Sequence, residues 1–199
     1  MSQIPSHRYL FVDAEFTGEH QHTTLVSLAL VGEDDRELEV ICDDFDRDQV
    51  TDWLRTNVLD HLDMSVAVPS AEAFRRVEAF VHAYGEGRPV RLVSAGKLQD
   101  LLLLFELWKH GDAWRRESPP ARYFHYLRGL PSELNHAAHV DLNTMMMLAG
   151  VDPGANRAAF AGVPAGRRHS SLDDARVVKA CFSKLRGDGT FPRFDATFR

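Results

Sequence analysis

A chain of 199 residues with 44% hydrophobic content can bury one sizeable core, so a single domain over 1–199 is expected, with 186–199 as a C-terminal tail. Twenty-nine acidic against 23 basic residues give a formal charge of −6, which excludes a protein that coats nucleic acid through bulk positive charge but not one that grips a few phosphates through bound cations. No apolar run is long enough to span a bilayer, Met1 to Ser6 lack the pattern of a secretory leader, and Cys42 and Cys181 stand far apart without C-x-x-C spacing, so a reduced, cytoplasmic protein with no membrane partner is expected.

Arg8 to Val12 reads as the first strand, and the segment Tyr9-Leu-Phe-Val-Asp-Ala-Glu-Phe-Thr-Gly18 carries Asp13 and Glu15 one residue apart at its end. Side chains at i and i+2 of a strand share a face, so the two carboxylates stand side by side. Two anions held that close ask for a cation, and hard divalent ions such as Mg²⁺ take oxygen ligands of this kind. A solvated strand end is the simpler account of Asp-x-Glu taken alone. Thr24 to Val31 and Glu37 to Cys42 read as the next two strands across a polar turn, which predicts an antiparallel meander. Asp46 to Leu62 then switches to helical period through Val50, Trp53, Leu54, Val58 and Leu62, and predicts a helix packed on the sheet through Trp53.

A second helix follows Pro69-Ser70, with Phe74, Val77, Phe80, Val81 and Tyr84 on its apolar positions and Gly85 and Gly87 at its end. Arg88 to Ala95 is a buried strand candidate, and strand between helices is the α/β pattern. Leu98 to His110 is the next helix. Asp100 lies among leucines in its first turn, where the helix dipole accounts for a carboxylate as well as a ligand role does. Asp112 to Pro120 reads as a surface loop and Arg122 to Leu127 as a further strand. Asp141 caps a short helix to Ala149 whose methionines are core filler. Gly150 to Gly166, rich in Gly, Pro and Ala, reads as a loosely held segment bordering a site. Ser171 to Leu185 is the last helix; in the tail beyond it, Phe191, Phe194 and Phe198 suit latching onto the core or a partner subunit better than stacking on bases.

Just before the last helix stands Arg167-Arg168-His169-Ser170-Ser171-Leu172-Asp173-Asp174, a histidine five residues ahead of a carboxylate. Asp-x-Glu on a first strand, an Asp on a middle helix and His-x-x-x-x-Asp before a C-terminal helix, in that order, resemble the DEDDh group of DnaQ-like 3′→5′ exonucleases. Within the group the chain looks most like the RNase AS family of adenosine-preferring exoribonucleases, through Arg8-Tyr-Leu-Phe-Val-Asp-Ala-Glu-Phe16, Leu25-Val-Ser-Leu-Ala-Leu30 and Trp53-Leu-Arg-Thr-Asn-Val-Leu59. It departs at Ser94-Ala-Gly-Lys-Leu-Gln-Asp100, which lacks the aromatic that often precedes this Asp, and the segment from Gly111 to Ala138 has no counterpart.

The resemblance implies an α/β, RNase H-like fold, a mixed sheet of five to six strands, three antiparallel and then parallel ones, flanked by helices. It implies Asp13, Glu15, Asp100 and Asp174 as ligands of two divalent ions, Mg²⁺ or Mn²⁺, and His169 as general base; the family's five-residue spacing selects Asp174 over Asp173. The expected partner is single-stranded nucleic acid, RNA favoured, shortened from its 3′ end to nucleoside 5′-monophosphates. A DNA exonuclease of the same fold is the nearest alternative, an inactive nucleic-acid-binding module a further one. A homodimer stays open, since related exonucleases often pair.

Hydrolysis of a phosphodiester needs an in-line water and stabilisation of the leaving oxygen, and two metals roughly 4 Å apart provide both. Asp13 would bridge them, Glu15 and Asp174 would complete the side of the attacking water, and Asp100 would serve the leaving-group side. Histidine titrates near neutral pH, so His169 can take the proton. Arg167, Arg168 and Lys97 are candidate phosphate contacts, with solvated surface charge the simpler account of each. The Phe16 ring could stack on the terminal base or be buried in the core, and backbone near Thr17 and Gly18 would admit the nucleotide. His20 and His22 are assigned no role.

Overall fold

A computed structural model describes residues 7–111, 130–135, 139–164, 166–167 and 169–187. The loop and strand expected between Asp112 and Leu127, Arg168, and the aromatic residues of the tail lie outside them. Five strands, β1 (Arg8–Phe16), β2 (Leu25–Gly32), β3 (Glu37–Ile41), β4 (Val90–Ser94) and β5 (Val140–Asp141), form one sheet in the order β3-β2-β1-β4-β5. The pairs β1–β2 and β2–β3 are antiparallel, while β1–β4 and β4–β5 are parallel, so the protein is α/β with a mixed sheet. The helices are α1 (Asp52–Asn57), α2 (Ser70–Gly85), α3 (Leu98–Glu106), α4 (Ser132–Asn135), α5 (Leu142–Leu148), α6 (Arg157–Ala161) and α7 (Ser171–Gly187).

Alternation along β1 divides the core between the two faces of the sheet. Leu10, Val12 and Ala14 share a cluster with Val77 and Val81 of α2 and Leu101 and Leu104 of α3. Tyr9 and Phe11 share the other with Met146 of α5, Ala158 of α6 and Val178 and Phe182 of α7. Strand β2, flanked by β1 and β3, is buried at every position, which is why its sequence is a near-continuous apolar run rather than an alternation. None of the helices in the described residues is long and apolar enough to cross a membrane.

Four expectations need correction. The helix over Asp46–Leu62 is broken into a 3₁₀ turn at Arg47–Gln49, the short α1 capped by the Thr51 side chain, and a second 3₁₀ turn at Leu59–His61. Leu54 and Val58 are buried, but Trp53 is 55% exposed and is no part of the core. Helix α2 runs through Gly85 and turns at Glu86, which takes the left-handed conformation itself. The segment expected to be loosely held contains the helix α6, whose cap Asn156 accepts a hydrogen bond from the Ala159 N–H. Strand β5 was not legible as one, because it is two residues long and Asp141 doubles as the cap of α5.

Candidate functional site

Strand β1 outruns its parallel neighbour. Pairing with β4 ends at Phe11 opposite Val93, whereas pairing with β2 carries on to Phe16. Asp13 and Glu15 therefore stand on a strand end that has no strand on the β4 side, and a cavity of about 950 Å³ opens there. Asp100, in the first turn of α3, reaches the same place, where the Ala14 backbone N–H interacts with its carboxyl group. Asp100 is 3% exposed. The helix dipole accounts for its position only in part, since a carboxylate placed there for the dipole alone would face water.

The opposite wall is the start of α7. Asp13, Glu15 and Asp174 each present an oxygen so that the three lie within 4.8 Å of one another, close enough for one metal ion to touch all three. Asp173, one residue earlier, faces away: it pairs with Arg176 at 2.9 Å and accepts the Arg167 N–H at 2.9 Å. The choice between the two adjacent aspartates thus follows from helix geometry, since a 100° step separates their side chains. Helix α7 is seated by Ser171, whose hydroxyl accepts from the Ser27 hydroxyl on β2 at 3.1 Å and donates to the Glu39 carboxylate on β3 at 3.2 Å.

Electrostatics mark the cluster as unsatisfied. Burial, followed by the nearby charges of Asp100, Asp174 and Glu15, holds the Asp13 carboxyl well above its ordinary range. Burial, with Asp174 and Asp100 adding to it, pushes Glu15 up to about 7. Asp100 and Asp174 are raised as well, in both cases chiefly by burial. Four carboxylates that resist ionisation together have the character of a site awaiting positive charge.

His169 lines this cavity with φ of 58°, a left-handed conformation rare for a residue with a side chain. Its imidazole is met edge-on by the Trp53 indole, with ring centroids 4.9 Å apart and planes at 78°. The charge of His169 and its backbone N–H both favour ionisation of Asp174, against the burial that raises it.

The other expected contacts divide. Phe16 lines the cavity but packs against the core, and the Lys97 ammonium stands 5.8 Å over its ring. Thr17 is buried and its hydroxyl is engaged by Gln49 at 2.5 Å, by Thr24 and by Thr23, so it braces the strand end rather than facing the cavity freely. Lys97 pairs with Glu19. The Arg167 side chain reaches the His61 carbonyl at 3.3 Å. Arg168 lies outside the described residues.

Two residues in the site were missed by sequence reading. Helical spacing places Trp53 in the core, although the polar residues before it in Thr51-Asp-Trp53 signal exposure. Nothing in the Gly- and Pro-rich stretch around Arg157 marks it, yet it lines the cavity and its charge favours ionisation of Asp13, Asp100 and Asp174. Compared with protein-family models and with curated proteins, the chain matches none.

Proposed function

We propose that the protein is a metal-dependent 3′→5′ exoribonuclease of the RNase H-like, DEDDh type, trimming single-stranded RNA to nucleoside 5′-monophosphates. The observation that carries this reading is the convergence of Asp13, Glu15 and Asp174 within 4.8 Å, with Asp100 and His169 on the same cavity. The strand order, with three antiparallel strands and then two parallel ones, is compatible with that fold.

The donor set fits Mg²⁺ or Mn²⁺: it is all oxygen and anionic, and burial first, then the neighbouring carboxylates, raises the proton affinities of the cluster. Asp13, Glu15, Asp100 and Asp174 would hold two such ions, which supply Lewis-acid stabilisation of the phosphoryl charge and of the leaving oxygen. His169, tied to Asp174 through its backbone N–H and with its ring met edge-on by Trp53, takes the proton of the attacking water. The indole of Trp53, more than half exposed at the mouth of the cavity, offers a stacking surface for a base. That surface suits a splayed single strand rather than a closed duplex.

The test is digestion of 5′-labelled RNA and DNA oligomers of one sequence with Mn²⁺. A ladder shortening from the 3′ end on RNA, abolished by EDTA, is expected. Cleavage confined to DNA would replace the ribonuclease reading with that of a DNA exonuclease, and no cleavage of either would end the nuclease reading.

A further inference from the structure

We infer that Arg157 is a phosphate-binding residue of this cavity, its guanidinium held in place to receive the scissile phosphate of the terminal nucleotide; the inference rests on the exonuclease reading above. Arg157 is the first residue of α6, and the Asn156 cap fixes the backbone from which it projects. Its Nη2 donates to Asn143 Oδ1 at 2.9 Å and to the Ala95 carbonyl at 3.4 Å. Space for Asn143 comes from Gly96, at φ of 82°, where a Cβ would fall 2.0 Å from Asn143 Nδ2. The turn after β4, with α5 and α6, thus converges to hold one arm of a guanidinium.

The remainder of the fork is unspent. Arg157 Nε is buried without a hydrogen-bond partner among the described residues. A buried donor of this kind is unfavourable, and a shift of the side chain toward the cavity would let a ligand satisfy it. Arg157 forms no salt bridge with the acids of the cluster, although its field reaches Asp13, Asp100 and Asp174. A residue serving only as their counter-ion would close onto one of them. The planar fork instead matches the oxygens of a phosphate.

Charge arithmetic points the same way. With His169 neutral, as a general base must be, four ionised carboxylates and two bound divalent ions would cancel, and Lys97 is matched by Glu19, so Arg157 would leave one positive charge, the complement of one phosphodiester.

The experiment uses the full chain as wild type, Arg157→Met, Arg157→Lys and Asn143→Ala, and measures Mn²⁺ binding by calorimetry. It then compares binding of adenosine 5′-monophosphate with that of adenosine at saturating Mn²⁺. Arg157→Met is expected to keep or tighten Mn²⁺ binding while losing about tenfold or more of the preference for the monophosphate over the nucleoside. Arg157→Lys should recover part of that preference, and Asn143→Ala should lose a smaller share with Mn²⁺ binding intact. Unchanged preference in Arg157→Met, or a loss confined to Mn²⁺ affinity, would overturn the inference. Should Arg157→Met fail to fold, the Lys and Asn143→Ala variants carry the same comparison. These binding readouts need no turnover, so a wild type that prefers the monophosphate but cleaves neither RNA nor DNA would sink the exonuclease reading and leave the phosphate contact supported.

Discussion

The two ends of β1 treat charge in opposite ways. At the start of the strand Arg8 pairs with Glu86 at 2.9 Å and with Asp34 at 3.3 Å, Arg36 pairs with Asp34 at 2.7 Å, and Arg186 pairs with Glu33 at 3.1 Å. Glu33 also accepts the Tyr9 N–H at 3.0 Å. The hydrogen bond from Arg36 holds Asp34 below its ordinary range. At the far end, a few residues on, Asp13 and Glu15 meet Asp100 and Asp174, and burial raises all four. One end uses charge to close the fold; the other keeps a charge deficit inside it. The acids at one end are neutralised by arginines, those at the other could take a metal ion, and that contrast is open to experiment.

The sharpest break would come from Asp13, which has the most like-charged neighbours. Asp13→Ala should lower RNA hydrolysis about a thousandfold or more, roughly 4 kcal/mol of transition-state stabilisation. The same change should leave the metal-free melting temperature at pH 8 unchanged or raised, because it removes one charge from a self-repelling cluster. Initial rates and thermal melts in EDTA check both halves. A variant as active as wild type would place the metal chemistry elsewhere.

Next in size is the response to pH. Glu15 rises from an ordinary 4.5 to about 7 in the fold. Between those values the folded protein keeps a proton that the unfolded chain releases, so metal-free stability is fully present below about pH 4.5 and falls as pH rises through 7. At 1.36 kcal/mol per pKa unit this amounts to at most roughly 3 kcal/mol, with Asp13, Asp100 and Asp174 acting in the same direction. Mn²⁺ should restore the loss, since protons and metal compete for the same oxygens; at a hundred times its dissociation constant it adds about 2.7 kcal/mol. Urea melts at pH 5 and pH 8, with EDTA and with Mn²⁺, report this. Asp34, lowered rather than raised, gains its stability above its ordinary 3.8 and loses it in acid, so it contributes no slope between pH 5 and 8. A flat metal-free profile over that range would erase the contrast between the two ends.

How far this arrangement could be read in advance depends on how local each signal is. The first three strands and the pairing of Asp13 with Glu15 follow from period-two geometry, which needs only neighbouring residues. Asp174 could be told from Asp173 by a family spacing, and α7 turns them to different partners, the cluster and Arg176. Arg157 was illegible because its meaning depends on Asn143 and Ala95, which are distant in sequence and converge only in the folded chain. Trp53 was misread for another reason. Helical spacing records which residues are apolar, but α1 is six residues long and only Leu54 in it is buried, so the rest of its surface has no core to face.

That exposed ring supplies a milder test. Trp53→Ala should raise KM for an RNA oligomer about tenfold, within the ~1–3 kcal/mol that one base stacking on an aromatic ring contributes. Trp53→Phe should stay near wild type, and neither should lower the melting temperature appreciably because the indole is 55% exposed. Loss of kcat with an unchanged KM and an altered pH profile would reassign Trp53 to holding His169, which its ring touches edge-on.

The smallest effect should come from the paired end. Arg36 meets Asp34 and Glu86, donates to the Ala83 carbonyl at 3.0 Å and lies 5.1 Å over the Tyr84 ring, a large number of contacts for one side chain. Its head group is nevertheless in water, where exposed ion pairs contribute about 0.2–1 kcal/mol and salt screens them. Arg36→Ala should therefore lower stability only slightly, less at high salt, with hydrolysis and Mn²⁺ binding untouched. A larger loss, or any change in Mn²⁺ affinity, would show that the ends of β1 are coupled through the strand, and that the charge deficit depends on how tightly the opposite end is closed.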